Sequence, residues 1–142
     1  MNRFAHLQDR LFGISIVAWG IHDDQIGFFL EQKMINPEVE QALRQIIRQK
    51  NDVAAMQAEI DSRQAQITSI SEDQQRVREN MKALKGSAEE KTLVERYARQ
   101  LNEQEDQMES LHKQIADLQQ KRDNAQKALN TSVQQLSLEA KI

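Results

Sequence analysis

The chain has 142 residues, with 19 Lys and Arg against 22 Asp and Glu, 39% apolar and 4% aromatic residues, one Pro, four Gly and no Cys. Such a composition, at a mean hydropathy of -0.74, is too poor in bulky side chains for a thick layered core and suits long amphipathic helices sharing one narrow apolar seam. No segment is basic and the net charge is -3, so the chain lacks the phosphate-neutralising surface on which nucleic-acid affinity rests; without Cys, disulfides and thiolate metal sites are excluded.

Residues 1–22 are the least regular. Arg3 and Arg10 precede an apolar run, Leu11 to Ile21, but Asp9 interrupts the basic region and no Ala-x-Ala cleavage pattern follows, which argues against a signal peptide. The run is also shorter than the roughly 20 residues a membrane-spanning helix needs. Gly13 and Gly20 bracket Ile14 to Trp19, which reads locally as a strand. A lone strand needs partners to satisfy its backbone, and the rest of the chain offers none. The segment is expected to be a strand-like remnant or a helix at the base of the fold. Asp23 and Asp24 are N-cap candidates for a short helix across 23–35, with Ile26, Phe29 and Leu30 on one face.

Asn36, Pro37 and Glu38 form a second helix start, with an N-cap residue, a proline at the first helical position and acids beside the positive helix end. From there one heptad series runs Val39, Ile46, Val53, Ile60, Ile67, Gln74, Met81. Its companion runs Ala42, Gln49, Met56, Arg63, Ile70, Val77, Leu84. Most members of both are apolar, as a continuous helical seam requires. Lys85 and Gly86 then read as a helix stop, and Ser87 with Glu90 as the S-x-x-E capping box that opens the next helix. Val94, Leu101, Met108, Ile115, Arg122, Leu129 and Leu136 carry the second heptad series, with Tyr97, Gln104, Leu111, Leu118, Ala125 and Ser132 as companions. Asn130, Thr131 and Ser132 are poor helix formers, so fraying is expected beyond Leu129.

The fold class that follows is all-α: an antiparallel two-helix coiled-coil hairpin over 36–142, with helices at 37–85 and 88–137 and a turn at 85–87. Two registers one heptad apart are compatible with it. The tighter sets Val53 against Leu118, Ile60 against Leu111 and Gln49 beside Arg122. The looser sets Val53 against Ala125, Ile60 against Leu118 and Gln74 against Gln104. A short connection favours the tighter one, and the glutamine match favours the looser; the expectation is the tighter.

Arg63 and Arg122 interrupt apolar series. They are candidates for contact with an anion or acidic partner, but an arginine can equally lay its stem along a seam while Glu59 or Asp123 pairs with its head. Gln49, Gln74 and Gln104 are suited to fixing register and partner choice. His6, His22 and His112 show no metal-ligand spacing, and no phosphate loop or nucleophile–base pair is present, so neither catalysis nor a cofactor is expected. Trp19, Phe28 and Phe29 are candidates for a docking surface or for packing on the hairpin base. Leu43, Ile47 and Val133 flank the seam and would suit a second interface in a homodimer.

Asp24 to Leu30, Ile35 to Pro37, Asp73 to Leu84, Glu95 to Tyr97 and Gln104 to Asp106 together resemble the C-terminal helical part of a bacterial family of unknown function related to mucoidy inhibitor A. The likeness covers roughly residues 14–138, and the Asp-Gln-x-Arg-x-Arg-Glu-Asn run from Asp73 is its most specific part. The resemblance implies a hairpin protruding from a β-rich domain, with Ile14 to Ala18 as the last segment before the helices. Residues 1–13 do not look like that domain, so the chain reads as a truncated or late-starting member. No catalytic residues come with the likeness. The expected function is a structural and protein-interaction module that contacts a protein partner or the β-rich domain. The alternative is an adaptor at the cell envelope that meets a membrane or partner through its aromatic N-terminal segment.

Overall fold

In a computed structural model of the protein, residues 36–139 are described. The expectations for the strand-like run, the short helix at 23–35, and Trp19, Phe28 and Phe29 fall outside them. The described chain forms two helices, α1 (Pro37–Ala83) and α2 (Glu90–Glu139), packed against each other as an all-α helical hairpin. Contacts divide it into two units, Gln57–Gln120 on one hand and residues 36–56 with 121–139 on the other.

Helix α1 starts where local chemistry directs it. The Asn36 side-chain Oδ1 accepts a 2.7 Å bond from the Val39 N–H, satisfying an amide that the first helical turn leaves without a partner. At the other end the Leu84 N–H still reaches the Asn80 carbonyl at 3.2 Å, and Gly86 adopts φ +84°, the left-handed conformation that ends a helix. Six residues, Leu84 to Glu89, lie between α1 and α2, more than the three that the sequence suggests. Across this turn the Ser87 N–H donates to the Leu84 carbonyl at 2.9 Å, and the Glu90 N–H to the Ser87 carbonyl at 3.3 Å. The Glu90 carboxylate reaches back to the Gly86 N–H at 2.8 Å, one residue beyond the amide that a capping box would use.

Within the Gln57–Gln120 unit the seam is narrow. From Ala58 to Glu72 on α1, and from Asn102 to Gln120 on α2, every residue outside the heptad series is exposed. Ile60, Val77, Leu111 and Ile115 are buried, with Val77 fully enclosed. The other series members are half-buried or, at Gln74 and Gln104, buried despite being polar.

The other unit buries a wider stripe. Leu43, Ile46 and Ile47 on α1 and Leu129 and Leu136 on α2 are all buried. Leu43 and Ile47, expected to flank the seam and remain available to a second chain, are 4% and 8% exposed within this one. Three buried positions in five residues form the broad apolar face of a helix packed on more than a two-residue stripe. Fraying beyond Leu129 does not occur before Glu139 either. Thr131, Ser132 and Ser137 each turn the hydroxyl back onto the carbonyl four residues earlier, at 3.0–3.1 Å, so the polar side chains bond within the helix while Leu136 holds the seam.

Candidate functional site: the polar layer of the seam

Polar side chains from both helices meet in the seam where α1 presents Asp73 and Gln74 and α2 presents Gln100, Gln104 and Glu105. Gln74 and Gln104 are heptad members and face inward; Asp73 is the first residue outside the series to be drawn in after a stretch in which all such residues are exposed. Its carboxylate gathers donors from both helices. Oδ2 accepts from Gln104 Nε2 at 2.6 Å and from Gln100 Nε2 at 3.2 Å, while Oδ1 accepts from Arg76 Nε at 2.9 Å and Nη2 at 2.8 Å. The one-turn spacing of Gln100 and Gln104 puts both amides on the face of α2 that meets Asp73. Gln74 Nε2 donates in turn to Glu105 Oε1 at 2.9 Å.

Arg76 first, then the Gln104 and Gln100 amides, stabilise the ionised form of Asp73, and its pKa lies below the usual 3.8. The layer is not fully satisfied. Gln104 is 9% exposed, and its Oε1 has no hydrogen-bond partner although its Nε2 does.

Within the Gln57–Gln120 unit these bonds decide the register. Asp73 with Gln104, Gln74 with Glu105, and Arg63 with Gln114 at 2.8 Å all fit the alignment that sets Gln74 opposite Gln104. The tighter register expected from a short connection is therefore overturned. Its premise fails at the turn, where six residues rather than three leave room for the looser pairing, and the buried glutamines and Asp73 reward it.

Both interrupting arginines find partners within the hairpin. Arg63 bonds Gln114 across the seam, donates to the Glu59 carbonyl at 3.3 Å and lies 3.6 Å from the Glu59 carboxylate. Arg122 donates through Nε and Nη2 to Asp123 at 3.1 and 2.9 Å. The two arginines and Gly86, Ser87 and Glu90 converge on no common site. Sequence reasoning found Gln74 and Gln104 but missed Asp73, which gathers Gln104, Gln100 and Arg76. The available signal was an acid beside a seam glutamine, with two glutamines one turn apart on the facing helix.

A shallow groove along α2, bordered by Glu105, Met108, Glu109, His112 and Lys113, is open to solvent. Among the described residues no group of three or more His, Asp or Glu is placed to hold a metal ion, and no helix is long and apolar enough to cross a membrane. The chain matches no family model, no curated protein and no solved structure.

Proposed function

We propose that the chain is a non-catalytic structural and protein-interaction module, a coiled-coil hairpin whose outward faces meet a protein partner. The observation that carries this reading is the division of labour in the Gln57–Gln120 unit. The apolar heptad residues are spent on the seam, and what faces outward is a dense row of charges and amides, including Glu72, Arg78 and Glu79 on α1 and Arg99, Glu103, Asp106 and Lys113 on α2. Recognition by such faces is electrostatic and amide-based, a mode that favours specificity and encounter rate over large buried area. The likeness of Asp73 to Leu84 to the mucoidy inhibitor A-related hairpins supports the same role and suggests a β-rich domain as one partner.

The test is a photo-crosslinking amino acid placed in cells at Arg78, Glu103, Asp106 or Lys113, with Val77 as the buried control. A discrete adduct formed from adjacent positions on one face, and not from position 77, is the expected result. Absence of an adduct from every exposed position would remove the reading.

A further inference from the structure

We propose that the hairpin has a second register, one heptad tighter, and that the layer of Asp73, Gln74 and Gln104 is the latch that holds it in the observed one. Three observations, one on α1 at Gln49 and two at the turn, point to the alternative state. Gln49 Oε1 is buried and has no hydrogen-bond partner here. One heptad tighter, Gln49 lies beside Arg122, whose guanidinium bonds Asp123 in the observed register.

At the tip, Ser87 and Glu90 carry the spacing of a capping box, yet Ser87 contributes only its backbone and Glu90 reaches past it to Gly86. The tighter pairing draws the helices toward Lys85 and Ala88, which makes Ser87 the N-cap and brings the box into use. The six-residue connection supplies the slack for this change.

Opposing these gains, the slide sets Gln74 against Tyr97 and Gln104 against Ile67, and removes Asp73 from both of its α2 donors. The buried Gln104 amide would then face an aliphatic side chain, the situation in which polar groups are costliest, and Gln74 would exchange a charged acceptor for the ring of Tyr97. Each register thus bonds polar groups that the other leaves without these partners, Asp73, Gln74 and the Gln104 Nε2 in the observed one and Gln49 in the tighter one. That is the condition for a two-state element, because packed seams shift by whole heptads and not by continuous sliding.

Disulfide trapping reads the two states directly, since the chain has no native cysteine. Ile70→Cys with Met108→Cys reports the observed register, and Ile70→Cys with Leu101→Cys the tighter one; all three positions are half-buried and lie outside the latch. In an otherwise unchanged chain, dilute enough for intramolecular products only, the 70–108 disulfide should predominate. Adding Gln74→Leu and Gln104→Leu should raise the 70–101 yield at least tenfold, while Gln49→Leu should lower it several-fold.

Equal 70–101 yields with and without the latch, in variants of unchanged helicity, would overturn the proposal. Should the double leucine variant fail to fold, Asp73→Asn decides, because it removes the charge without changing the volume: it must raise the 70–101 yield if the latch exists.

Discussion

Asp73 on α1 accepts a 2.6 Å hydrogen bond from the Gln104 amide on α2, and this bond ties the two helices through a carboxylate that Arg76 also holds. The ionised form of Asp73 is thereby favoured in the folded chain, with a pKa below 3.8. A depressed pKa means that the folded chain binds this proton less readily than the unfolded chain. Its contribution is complete above pH 3.8 and is lost as the pH falls from there through the folded value. The thermal midpoint should decline across that acidic window, and Asp73→Asn should flatten part of the decline. The effect is modest, because the Asp73 side chain is 35% exposed and water screens it. Identical pH profiles for the two chains would refute the assignment.

Ile60 is 2% exposed in the narrow part of the seam. Ile60→Ala removes buried methyl and methylene groups and leaves a cavity, at a cost of about 2–5 kcal/mol. On the outward face, Glu79→Ala should change stability by less than about 0.5 kcal/mol. Urea unfolding of the two variants, with helicity as the probe, gives the comparison.

Gly86 sits at φ +84° with nothing within 4 Å of where a Cβ would stand. The cost of Gly86→Ala is therefore conformational and not steric, about 1–2 kcal/mol. D-alanine, whose preferred φ is positive, should not incur it. A semisynthetic chain with D-alanine at 86 should unfold at a urea concentration no lower than the parent, and one with L-alanine at a lower one.

Arg63 occupies a heptad position, with its side chain 28% exposed and its ion pair to Glu59 loose at 3.6 Å. Such pairs contribute little, about 0–1 kcal/mol. Arg63→Leu loses that and the bond to exposed Gln114, whose amide returns to water, and extends the apolar seam. The chain should keep or gain stability, whereas Arg63→Ala, which also loses the packing of the stem, should lose some. Thermal midpoints of the two variants separate the contribution of the stem from that of the charge.

The helices were legible because their signals are local and repeated. Heptad spacing places Ile60, Val77, Leu111 and Ile115 inside, and Asn36 and Gly86 mark ends through their own side chain or lack of one. Register was not legible in the same way, since it depends on how many residues the connection takes, and the capping-box spacing of Ser87 and Glu90 pointed to a tighter turn than the one formed. Leu43 and Ile47 were misjudged because a two-stripe pattern cannot foretell a wider packing face. Asp73 was overlooked because its importance arises from Gln100 and Gln104, which come close only when the chain folds back on itself.

Glu38 and Ala42 near the start of α1 and Ser132, Gln135 and Leu136 near the end of α2 border a single groove, so the two helix termini lie side by side. Tension applied through those two points would not shear the helices along their length. It would peel them apart from the open end, loading the contacts of Leu136 before those of Leu129, one after another. A zipper loaded in this way yields at low force and closes again readily. A hairpin held at its open end therefore opens by peeling, and a load applied there is not borne by the whole seam at once.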